Sequence, residues 1–163
     1  MSLAEFNALP ASEARERLTG CLDVPRWVDA VLVGRPYADQ ADLRATASEA
    51  AELDDAELEA ALARHPRIGE RAGAGHDAAH SAREQAGVDP ADHEVATRIA
   101  EGNVAYEERF DRVFLIRASG RTGPQILAEL ERRLGNDAAT ERDETVRQLR
   151  EIALLRLEQL VGD

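Results

Sequence analysis

Apolar residues recur three and four apart along most of the chain, and short Gly or Pro punctuation separates the stretches. That period belongs to amphipathic helices, so the pattern predicts an all-α fold of seven to eight helices closing one compact domain over residues 1–163. Ser12 is placed to cap a helix reaching Cys21 and Leu22. Pro25 stands in the first turn of the next, whose apolar face is Trp27, Val28, Val31 and Leu32. Gly34-Arg35-Pro36 stops it. An alanine-rich helix follows over 41–52, and Asp54 opens another whose face runs Leu58, Ala61, Leu62 and ends on His65, before Pro66.

Periodicity disappears over 67–79, where Gly69, Gly73 and Gly75 predict a long glycine-rich loop. Loops of that length in compact domains often carry function. A short helix is expected over 81–86. A longer one begins after Asp89-Pro90 and carries Val95, Ile99, Asn103, Tyr106 and Phe110. Val113-Phe114-Leu115-Ile116 is strand-like but has no second run to pair with, so it reads as a buried extended connector. Thr122-Gly123-Pro124 starts a helix through Ile126, Leu127, Leu130 and Leu134 that Gly135-Asn136 closes. Thr140 is expected to cap the last helix, which runs to about Val161.

Composition narrows the chemistry. The 163 residues carry 20 basic and 32 acidic side chains, a formal net charge of −12, and all 20 basic residues are arginine. Without lysine there is no Schiff-base nucleophile and no phosphate-loop ammonium. An acidic surface disfavours nucleic acid, which needs a basic footprint. Apolar runs fall far short of the roughly 20 residues of a bilayer span, and the first residues lack the marks of a secretory leader. A cytoplasmic protein without membrane contact is expected. Cys21, the single thiol, has no disulfide partner in the chain and reads as a small core residue.

Three positions stand out chemically. On the last helix Arg156 falls inside an apolar arc made by Leu149, Ile152, Ala153 and Leu160. A buried guanidinium keeps its proton and requires anionic or polar partners, so Arg156 is either an anion clamp for a ligand or a structural salt bridge or snorkelling stem. His65 can exchange protons near neutral pH at the rim of a cavity, or simply close a helix end. Ser81 and Glu84 match a capping box; alternatively Glu84 and Gln85 face the same cavity as His65. His76 and His80 stand four apart, but the glycines before them argue against the formed helix that a shared metal would need.

Taken in order, these residues resemble one family. His65-Pro66-Arg67-Ile68-Gly69-Glu70, Ser81-Ala82-Arg83-Glu84-Gln85-Ala86-Gly87, Asn103 with Tyr106 and Arg109-Phe110, Phe114-Leu115-Ile116, and Glu151-Ile152-Ala153 with Arg156-Leu157 resemble the 2-oxo-4-hydroxy-4-carboxy-5-ureidoimidazoline (OHCU) decarboxylases of urate breakdown. Leu3-Ala4-Glu5-Phe6-Asn7 and Leu134-Gly135-Asn136 extend the likeness nearly end to end. The resemblance implies an all-helical homodimer that needs no metal or organic cofactor and converts OHCU to (S)-allantoin with loss of carbon dioxide.

It also assigns roles. His65 matches the catalytic histidine, Glu84 the acidic residue beside it and Arg156 the arginine on the substrate. Pro66, Ser81 and Gln85 match lining positions, and Phe114, Leu115, Ile116, Arg117 and Ala118 match the segment whose backbone groups hydrogen-bond the ring and ureido system. His80 and Arg117 depart from the aromatic and small residues that several relatives carry there. Two other classes use the same residues differently: a non-enzymatic helical module binding an anion or ureide, and a structural dimer in which the three polar residues are unrelated.

Overall fold

A computed structural model of the chain describes residues 1–69 and 93–162. Among them lie eight helices and no strands: α1 (Leu3–Ala8), α2 (Ala11–Cys21), α3 (Pro25–Val33), α4 (Gln40–Ala50), α5 (Asp55–Leu62), α6 (His93–Phe110), α7 (Gly123–Leu134) and α8 (Ala138–Leu160). The all-α reading holds. None of these helices is long and apolar enough to cross a membrane. The expected glycine-rich loop beyond Gly69 and the short helix over 81–86 lie outside the described residues.

The chain divides into two compact units, Met1–Ala61 with Leu149–Asp163, and Leu62–Gln148. In the first, α2 packs on α3 and α3 on α4. Phe6, Leu18, Trp27, Val31, Leu58, Leu149 and Ile152 are its most buried large side chains. Trp27 satisfies its indole N–H on the Ala47 carbonyl at 2.8 Å, so the ring is buried without an orphaned donor. Cys21 is buried, as expected of a core residue.

In the second unit α6 packs against α7. Gly102 makes the approach possible, because a Cβ there would stand 2.5 Å from Leu130 Cδ2. Ile68, Ile99, Tyr106, Phe114, Ile116, Ala118, Ile126, Leu127 and Leu130 form one apolar cluster. Burying each of the Ile and Leu side chains contributes about 1.5–3 kcal/mol relative to leaving it in water. Residues 113–118 form neither helix nor strand, and Phe114, Leu115 and Ile116 are buried, which matches the expected connector.

Helix starts follow local hydrogen bonding more closely than spacing alone suggests. Ser12 does not cap α2; the helix begins at Ala11, with Pro10 at its N-cap and no side-chain cap. Thr140 does not cap α8. The Asp137 carboxylate accepts the Thr140 N–H at 2.7 Å, and a charged acceptor at that position places Thr140 inside the first turn. Ser2 and Glu5 form a full capping box on α1, a helix absent from the periodicity reading because six residues hold too little of a period. Thr122 and Gln125 form the same box on α7, where a helix start was expected.

Candidate functional site

His65 lies three residues beyond the end of α5, in a turn rather than on the helix face, and its N–H donates to the Leu62 carbonyl at 3.0 Å. Its side chain and that of Pro66 are half-buried. The helix ends early because the peptide before Pro66 cannot keep the α conformation comfortably, and the chain turns before it. This leaves the imidazole half-buried near the start of the second unit.

The turn carrying His65 is held down by α6. Asn103 Nδ2 donates to the Ile68 carbonyl at 3.1 Å. One turn later Glu107 receives two donors from Arg67: Nε on Oε1, and Nη2 on Oε2 at 2.8 Å. The Arg67 guanidinium holds the Glu107 carboxyl below the usual carboxylate range. Ile68 is 7% exposed and joins the cluster that contains Phe114, Ile116 and Ala118. Ile68, three residues after His65, and the connector therefore share one packed core. Asn103 is 5% exposed, and its Oδ1 has no hydrogen-bond partner among the described residues.

Behind the connector stands a buried polar network. Arg133 and Glu141 are each 1% exposed; Glu141 Oε1 accepts from Arg133 Nε at 2.9 Å and Nη2 at 2.5 Å. The Tyr106 hydroxyl donates to the same oxygen at 2.5 Å, and Asn136 Nδ2 donates to Oε2 at 3.0 Å. Burial, then the bond to Glu141, raises the Tyr106 hydroxyl above its ordinary range and keeps it a donor. The remaining arm of Arg133, Nη1, donates to the Leu115 carbonyl at 2.6 Å, and its guanidinium lies 4.7 Å from the Phe114 ring centroid. On the same segment, the Arg117 N–H donates to Gln148 Oε1 at 2.9 Å.

Arg156, in the first unit, is 2% exposed, as its place in the apolar arc predicts. Its Nη1 faces the carbonyls of Gly20 and Cys21, each at 3.5 Å. Leu149, Ile152 and Ala153 are buried around that arc, while Leu160 is only half-buried. Ser81, Glu84 and Gln85, with His76 and His80, lie outside the described residues. The structure thus brings Ile68, three residues after His65, together with Phe114, Ile116 and Ala118 in one core, and it buries Arg156 against the end of α2.

Arg133 escaped the reading of candidate residues although the signal was available. It stands seven residues after Ile126 and three after Leu130, on the buried face of α7, by the same criterion that singled out Arg156. A groove in the first unit, lined by Leu43, Leu154, Leu157 and Val161 and edged by Arg44 and Glu158, contains none of the expected site residues.

Comparison with known proteins identifies the family. A profile described as OHCU decarboxylase matches residues 7–158. The 2-oxo-4-hydroxy-4-carboxy-5-ureidoimidazoline decarboxylase of Amia calva is 31% identical over 166 residues, covering 99% of this chain and 95% of that protein. A crystal structure of OHCU decarboxylase in the presence of (S)-allantoin shares the fold, with a TM-score of 0.76 at 23% identity over 91% of this chain and 99% of the other. So does a crystal structure of (S)-allantoin synthase, with a TM-score of 0.73 at 16% identity, over 99% of this chain and 54% of that one. With a profile spanning nearly the whole sequence and a relative of this identity along its length, the chain belongs to the OHCU decarboxylase family.

Proposed function

We propose that this chain decarboxylates OHCU to (S)-allantoin, with His65, Glu84 and Arg156 as the groups on the substrate. The family match over residues 7–158 carries the reading. The packing of Ile68, three residues after His65, with Phe114, Ile116 and Ala118 in one core supports it, since it anchors the chain carrying the proton-exchanging group to the segment that supplies backbone groups.

The substrate supplies its own electron sink. The bond between the carboxylate and the hydroxyl-bearing ring carbon breaks and carbon dioxide leaves. Its electron pair forms a C=C bond to the neighbouring ring carbon, and the π pair of that carbon's C=N moves onto nitrogen, which takes a proton. The hydroxyl then releases its proton as the ring C=O forms, and the carbon bearing the ureido group takes a proton on one face. His65 exchanges the hydroxyl or carbon proton, while Glu84 orients the imidazole and helps hold the ureido group. Arg156 and the backbone of 114–118 fix one pose, so protonation from a single face gives one enantiomer. Pro66, Ser81 and Gln85 line the same site.

The reading also has the chain working as one domain in a cytoplasmic homodimer on a small-molecule substrate. The experiment is to generate OHCU freshly from urate with uricase and the hydrolase that follows it, add the protein, and record circular dichroism of the product. Spontaneous decay gives racemate, so a growing optical signal supports the reading. A racemic product at the uncatalysed rate overturns it, and tight ureide binding without carbon dioxide release would identify a binding module instead.

A further inference from the structure

Phe114, Leu115, Ile116 and Ala118 are buried, with Val113 and Arg117 half-buried between them, yet the run belongs to no helix or strand, so its backbone groups need partners from elsewhere. Part of that need is met by protein. The Leu115 carbonyl accepts Arg133 Nη1, and the Arg117 N–H is taken by Gln148 Oε1. Arg121 Nε donates to the Arg117 carbonyl at 3.1 Å, and the Arg121 N–H donates to the Ala118 carbonyl at 3.0 Å. Ile116 is engaged on neither side: it is 2% exposed, and among the described residues no hydrogen bond engages its N–H or C=O, as is also true of Phe114 two residues before it, on the same edge of an extended run.

We infer that Gln148 and Arg133 are positioning residues that aim the Ile116 peptide groups at the substrate. In an extended run, the N–H and C=O of one residue leave by one edge and those of the next residue by the other. Tying Leu115 and Arg117 to α7 and α8 therefore turns Ile116 to the opposite edge, where its adjacent donor and acceptor match the N–H and C=O edge of a cyclic ureide. Neither side chain needs to touch the substrate. Each fixes the register of a segment that has no ladder of its own, and Arg133 is itself fixed by Glu141. This inference rests on the proposed decarboxylation.

Gln148 gives the cleaner test, because half-buried Gln148 can be changed without stranding a buried charge. Gln148→Met keeps the length and removes the acceptor for the Arg117 N–H; Gln148→Glu restores an acceptor. With wild-type chain active on OHCU, Gln148→Met is expected to raise KM about tenfold, the worth of one lost hydrogen bond on pose. Its (S)-allantoin should also lose enantiomeric excess while the melting temperature stays near wild type, and Gln148→Glu should recover KM and enantiomeric excess. In the wild type, titration with (S)-allantoin should shift the Ile116 amide resonance more than that of Leu115. Wild-type KM and enantiomeric excess in Gln148→Met, or a lowered melting temperature with unchanged kinetics, overturns the positioning role and leaves the decarboxylase reading standing. A wild-type chain inert toward OHCU removes the reading itself and the inference with it.

Discussion

Arg133 grips Glu141 Oε1 with two donors, Nε at 2.9 Å and Nη2 at 2.5 Å, in a pair whose members are each 1% exposed. A buried ion pair is a poor source of net stability, because desolvating both charges offsets most of their attraction. Breaking it is another matter. Arg133→Met leaves the Glu141 carboxylate with the Tyr106, Asn136 and Thr145 donors but without the guanidinium that balances its charge, and should cost about 3–5 kcal/mol in urea unfolding. The double variant Arg133→Met/Glu141→Gln should recover a substantial part of that loss, since no buried charge then remains. A double variant no more stable than the single one would show that the Leu115 contact, not the charge balance, dominates.

Asn103 acts on the other side of the same core. Its Nδ2 holds the Ile68 carbonyl, three residues past His65, and it shares the task with the Glu107–Arg67 pair one turn further along α6. Asn103→Leu removes that donor and strands a buried carbonyl, at a cost of about 1–3 kcal/mol, lessened because Asn103 Oδ1 already lacks a described partner. Asn103→Asp should be worse than Asn103→Leu, because it turns a carboxylate toward a carbonyl oxygen. Both should lower kcat more than they raise KM if the turn positions His65. Thermal melts and OHCU kinetics on the pair provide the check, and equal melting temperatures for the two variants would contradict the assigned donor.

How far the sequence reveals this molecule depends on how local each determinant is. The helices from Pro25, from Asp54 and from Thr122 are legible because a cap or a first-turn proline coincides with an apolar arc. Thr140 misleads, since Thr and Asp both cap and only the folded turn reveals that Asp137 takes the N–H. Arg156 is readable as a buried cation from its arc. Arg133 obeys the same spacing but hides among Glu129, Glu131 and Arg132, whose charges make α7 look polar there. The connector is legible as buried, whereas its partners Arg133 and Gln148 stand 18 and 31 residues away and leave no local trace.

Glu144 sets an acid limit on the fold. Hydrogen bonds from Arg132, at 2.9 and 2.7 Å, hold its carboxyl down to about 2, against an ordinary value of 4.5. The unfolded chain takes up this proton first, so the stabilisation is complete above about pH 4.5 and is lost as pH falls through about 2. Unfolding free energy should therefore decline across that window. Glu144→Gln should lower stability at neutral pH and flatten the decline, measured by denaturant titration at stepped pH. A variant with the wild-type slope would assign the acid sensitivity to other carboxylates.

His65 and Arg156 differ in what a conservative change should do to them. His65→Ala removes a proton-exchanging group from a half-buried turn, so turnover should fall by about 10²–10⁴-fold with little change in melting temperature. Arg156→Lys keeps the charge but gives up the planar fork that faces the Gly20 and Cys21 carbonyls on one side and, in the proposed reading, the substrate on the other. A ligand shifted by about 1 Å in its pose can lose on the order of a hundredfold in rate, and that is the expected fall in kcat/KM. The two variants should also part in the product: with His65→Ala the residual allantoin should approach racemic as spontaneous decay takes over. Wild-type kcat/KM in Arg156→Lys would make Arg156 a structural arginine, and wild-type turnover in His65→Ala would remove His65 from the chemistry.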